Sequence, residues 1–138
     1  MGSLSDYAEN KILDHINGKT SFTMPTAYIG LKTADPTDDN SGGTEPTIAT
    51  GGYARKVTSG ATWAAAASGA SSNAAAITFA TSTDAWSTGA TELTHFIAMD
   101  AATAGNMLYY GTLTVARAVN AANIILEFAI GELDLTAS

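Results

Sequence analysis

The chain has 138 residues, 46% of them hydrophobic and 14% charged, with a formal net charge of −7 and a pI near 4.4. That length predicts a single domain with a real core, and the six scattered basic residues argue against a phosphate-binding stripe or an anionic membrane surface. The absence of cysteine excludes a disulfide, a thiolate nucleophile and a Cys-based zinc site.

The charged fraction is well below the ~25% usual for soluble domains, so small polar residues and alanine must build the surface. Such a surface suits a protein held in an assembly. Met1-Gly2-Ser3 leads into polar sequence, which gives no secretory signal, and no apolar run approaches the ~20 residues of a membrane span.

Leu4 to Asn17 reads as the one helix. Ser5 is the predicted cap, with Asp6 and Glu9 in the first turn, where the helix dipole favours negative charge. Leu4, Tyr7, Ala8, Ile12, Leu13 and Ile16 form an apolar stripe that covers one end of the fold or docks on a neighbouring subunit. Asn17-Gly18 stops the helix. Residues 1–18 are thus a helical arm and 19–138 the main domain.

After a linker anchored by Phe22, Ala27 to Thr33 is a strand. Ala34 to Gly52, rich in Asp, Pro, Gly, Ser and Thr, is longer than an ordinary connection and therefore functional or exposed. Tyr53 to Thr58 is a second strand. Ala61 to Ala67, carrying Trp63, is a third, because its flanking glycines leave little length for a helix. Ser68 to Asn73 is a loop, Ala74 to Ala80 a strand with Ile77 and Phe79 on one face, and Thr81 to Thr91 a loop with Trp86 over the core edge.

Glu92 to Asp100 and Met107 to Val115 flank a polar break containing Gly105 and Asn106, a hairpin signal. This hairpin holds the densest large apolar side chains and is predicted to sit in the middle of the sheet. Asn120 to Asn123 turns the chain. Ile124 to Ile130 reads as a strand buried on both sides, Gly131 as a bulge or bend, and Leu133 to Thr136 as the last strand. One helix followed by about eight short strands predicts a mainly β chain, an antiparallel β-sandwich of jelly-roll type.

Few residues suggest chemistry. His15 and His95 lie on different elements without metal-ligand spacing. Asp35, Asp38 and Asp39 form the one acidic cluster. It reads as a surface Asp-Pro turn, with a Ca²⁺ loop as the alternative, although the EF-hand spacing is incomplete. No phosphate loop occurs, and no catalytic, cofactor or metal constellation is expected.

Several segments resemble, in order, a group of small tailed-bacteriophage virion proteins often labelled tail fibre proteins. They are Leu4 to His15, Tyr28 to Thr37, Gly52 to Arg55, Asn73 to Phe79, Thr94 to Phe96 with Asp100, and Gly105 to Gly111. The resemblance implies a structural, non-enzymatic role in the virion, assembled in the host cytoplasm. The chain lacks a long repetitive shaft, so the reading it favours is a capsid decoration or cement protein. Such a protein binds the major capsid protein and copies of itself as a homotrimer, without nucleic acid or membrane. The alternative is a tail fibre or tail-tip module using loop aromatics such as Trp86 on the host surface. The expected contact residues are Leu4, Tyr7, Ile12 and Ile16 on the helix and Asp35, Asp38 and Asp39 on the long loop.

Overall fold

The computed structural model describes residues 2–86 and 92–137. The described residues fold into nine strands and one α-helix: β1 Gly2–Leu4, α1 Asp6–Ile16, β2 Tyr28–Lys32, β3 Lys56–Val57, β4 Ala70–Ser72, β5 Ile77–Thr78, β6 Leu93–Met99, β7 Met107–Arg117, β8 Glu127–Phe128 and β9 Asp134–Thr136. Seven strands form one sheet in the order β3-β2-β6-β7-β1-β9-β4, and β5 and β8 form a second, smaller one. The fold is mainly β and sandwich-like. Every pairing is antiparallel except that of β1 with β9.

The predicted hairpin holds the centre. Two apolar runs and a turn-forming break make β6 and β7, and β2 pairs with β6 over its whole length, from Tyr28↔Met99 to Lys32↔His95. Side chains alternate across the pleat. Ile29, Leu31, Leu93, Phe96, Ala98 and Leu113 of the large sheet pack against Ile77 and Phe128 of the small one. Ile97, Met99 and Met107 form a second cluster with Tyr110. Tyr53, Phe79 and Trp86 fill the space beyond the strand ends, with Tyr53 and Trp86 edge to face at 5.2 Å.

Four local readings change. The helix begins one strand later than its apolar stripe, because Gly2–Leu4 pair between β7 and β9 as an inner strand. That pairing is long-range, and Gly-Ser-Leu carries no strand propensity to announce it. Of the predicted strand Ala61–Ala67, Ala61 and Thr62 belong to a short 3-10 turn, and the rest forms a hairpin with the predicted loop Ser68–Asn73. Trp63 and Ala67 bridge to Asn73 and Ala70, and Ser68-Gly69 turns with φ of 52° and 76°. Two consecutive positive φ values fit the turn whose twist matches antiparallel strands. The run Ile124–Ile130 is paired only at Glu127–Phe128, and Ile125 and Ile130 are exposed, so it lies at the edge of the small sheet. Trp86 is in the core, donating its indole N–H to Gly51 O at 2.9 Å, rather than capping an edge. The last part of the predicted loop Thr81–Thr91, from 87 on, lies outside the described residues.

Candidate interaction surface

The long loop after β2 is pinned at both ends by buried charge. Lys32 is only 5% exposed and donates its ammonium to Asn40 O at 3.2 Å and Gly42 O at 2.7 Å. Burial lowers its pKa, with Glu45 partly opposing. Those carbonyls come from the first half of the loop, which is wound tightly. Thr37 and Asn40 take positive φ, Asp35 accepts from Thr37 N, and Asp39 accepts from the Thr37 hydroxyl and Ser41 N. The Ser41 hydroxyl first, then the Thr37 hydroxyl and the Ser41 N–H, hold the Asp39 carboxyl down at about 2.

The second half is fixed by Glu45. Its carboxylate accepts from Tyr53 OH at 2.9 Å and from Arg55 Nε and Nη2, each at 2.8 Å. The Tyr53 hydroxyl in turn accepts from Leu31 N at 3.1 Å. Burial, then the Glu45 charge, push the Tyr53 pKa far upward. Burial by itself would lower the Arg55 pKa, but the Glu45 hydrogen bonds and charge raise it above its ordinary value. Arg55 also reaches the central hairpin, donating to Ala101 O at 2.8 Å and Ala104 O at 2.7 Å. That turn is closed by Asp100, which accepts from the Asn106 backbone and side chain.

The helix start joins the same assembly. Ser5 caps it, accepting from Ala8 N at 3.2 Å, and its hydroxyl donates to Met107 O. Asp38 accepts the Asp6 N–H through its carbonyl and the Tyr110 hydroxyl through its carboxylate. That hydroxyl is pushed up to about 12 by the Asp38 hydrogen bond first and burial second. The result is a preorganised platform of long loop, hairpin turn and helix N-terminus. Tyr7, Asp38 and Asp39 line one shallow cleft in it, together with Asn40 and Asn106.

The seven predicted contact residues therefore fall into two groups. Tyr7, Asp38 and Asp39 meet in that cleft, and Asp35 lies on the exposed outer turn of the same loop. Leu4 and Ile12 line a largely apolar groove with Leu13, Ala137 and Glu9, and Leu4 continues it toward Tyr109, Ala66 and Leu135. Leu13 and Ile16 stand out of the fold at 56% and 72% exposure, and Ala8 is the one buried helix residue. The helix is held by its first turn and packs on β7, so its apolar stripe is not used up by its own sheet.

The three loop carboxylates are engaged by different donors and do not converge. Among the described residues no three Asp, Glu or His side chains gather around a cation position. His15 accepts the Phe22 N–H through Nδ1, and His95 lies between the Thr94 and Thr112 hydroxyls. The network sequence reasoning missed is Glu45–Tyr53–Arg55. No local spacing marks it, since Glu45 lies within the long loop and Arg55 stands ten residues on, just before β3.

One protein family matches. The family described as Podophage GP4 fiber I protein gp80 aligns with residues 3–136. Among curated proteins no sequence matches the chain. The family alignment takes in both sheets, the helix and the whole platform, and the chain belongs to this family of phage fibre-related structural proteins.

Proposed function

We propose that this chain is a non-enzymatic module of a phage tail fibre, a compact unit that seats against its neighbours in the virion through the loop platform and the apolar helix face. The observation that carries the reading is the family alignment over residues 3–136, which joins a fibre description to the whole folded unit. The physical arrangement supports it. Buried charges are spent on holding loops still, which lowers the entropy lost on binding. The exposed apolar residues Leu13 and Ile16 extend the apolar stripe of the helix, and the groove beside them carries one charge, Glu9, among apolar neighbours, in keeping with the low charge of interface centres.

A second reading is a capsid decoration trimer on the major capsid protein. It is favoured by the compact packing of the small sheet on the large one among the described residues. Gold-labelled antibodies against the chain, imaged on intact virions, separate the two. Label on the tail supports the fibre reading, and label spread over the shell supports the decoration reading and overturns the first.

A further inference from the structure

We propose that β1 and α1 exchange between copies of this chain, so that residues 2–16 of one copy complete the large sheet of a neighbour in the slot between β7 and β9. The proposal concerns self-association and holds for either position in the virion.

The slot requires an occupant. β1 is an inner strand, antiparallel to β7 with Gly2↔Gly111, Ser3↔Tyr110 and Leu4↔Tyr109, and parallel to β9 at Gly2↔Leu135. Without it two unpaired strand edges would open in mid-sheet, a state proteins avoid. The slot is also selective. A Cβ on Gly2 would lie 2.7 Å from Tyr110 O, 2.9 Å from Asp134 O and 3.1 Å from the Phe96 ring. A Cβ on Gly111 would lie 2.7 Å from both Gly2 Cα and Phe96. Only a strand with glycine at that register fits, and Ser5, three residues on, must then meet the carbonyls of Met107 and Leu108. The segment with that chemistry is residues 2–16 of this same sequence, from either copy.

The connection permits either source. Among the described residues, the backbone N–H groups of Asn17, Gly18, Lys19, Thr20 and Phe22 all bond back to the helix, at Leu13, Asp14 or His15. The first tie to the main body comes at Ala27, whose carbonyl accepts from Thr58. Between them Thr23, Met24 and Thr26 are exposed, Met24 at 89%. The linker thus travels with the helix and hinges just before β2. Exchange restores every contact of β1 and α1, so its contact energy equals that of the closed chain. In the closed chain Leu13 and Ile16 of the helix stay exposed at 56% and 72%, an apolar face that a second copy would cover. The opposing cost is association entropy, which high local concentration reduces.

The test introduces Ser3→Cys with Tyr110→Cys in the full chain, which has no native cysteine. Ser3 and Tyr110 are directly paired across β1 and β7. Purified protein is concentrated, oxidised, denatured and run without reductant, with light scattering on the native sample. Exchange predicts that most bridged chains run as covalent dimers or larger, matching the native oligomer mass, with each single-cysteine variant staying a monomer on the gel. A bridge closed within one chain, whether the native protein is monomeric or oligomeric, overturns the proposal. Leu4→Cys with Tyr109→Cys, the next pair in register, gives the same readout if the first pair loses the wild-type circular dichroism spectrum.

Discussion

Replacing Glu45 by alanine should be among the most costly single changes outside the apolar core. The side chains of Arg55 and Glu45 are 5% and 17% exposed, so removing the carboxylate strands a guanidinium that water reaches poorly. Three hydrogen bonds are lost, two from Arg55 and one from the Tyr53 hydroxyl. Breaking a buried pair from one side costs about 3–5 kcal/mol, because the remaining charge keeps its desolvation penalty. At ~3 °C per kcal/mol for a domain of this size, Tm should fall by about 10–15 °C. Urea unfolding and thermal circular dichroism on Glu45→Ala give both numbers. Combining it with Arg55→Met should recover part of the loss, since the orphan charge is then gone. Hydrogen exchange at residues 101–106 should quicken in the single variant, because Arg55 also holds that turn. A loss below ~1 kcal/mol with unchanged exchange would refute the reasoning, since that is how an exposed surface pair behaves.

Three further outcomes follow from the same geometry. Asn73 is fully buried, donating to Ala75 O and Ala129 O and accepting from Leu133 N, so Asn73→Ala should cost about 2–4 kcal/mol in urea unfolding. Leu13→Asp with Ile16→Asp should shift monomer stability by less than ~0.5 kcal/mol, yet abolish incorporation into virions in a complementation assay; normal incorporation would remove the helix face from the contact surface. His95 has its pKa lowered below 6.5 by burial, with Asp35 partly opposing. The unfolded chain therefore binds the proton more readily, and this contribution is full above pH 6.5 and lost as pH falls through the folded value. NMR titration of the imidazole should find its midpoint below 6.5, and a midpoint above it would contradict the half-buried placement.

What could be read from the sequence was local. Ser5, Asp6 and Glu9 announce a helix start through neighbours a few residues apart, and the structure has that cap. The runs around Gly105-Asn106 announce the central hairpin for the same reason. Long-range pairing was not legible. Gly2–Leu4 become a strand because β7 and β9 leave a slot for them, over a hundred positions away in sequence. Ile124–Ile130 is apolar enough for a buried strand, yet the small sheet ends at Phe128 and leaves Ile130 in solvent. The proposed contact surface is legible only in its parts. The helix stripe and the acidic loop were nominated from composition, but the buried Glu45–Arg55 pair that stiffens the loop joins residues whose proximity only the fold creates.

The central claim is that this fibre-family chain works as a tail fibre module, and the copy number of the chain in purified virions tests it most directly. Quantitative mass spectrometry against the major capsid protein supplies the ratio. The fibre reading predicts a small fraction of the shell protein's abundance, set by the few tail positions of each particle. A ratio close to that of the shell protein would contradict it and make the chain a capsid decoration protein.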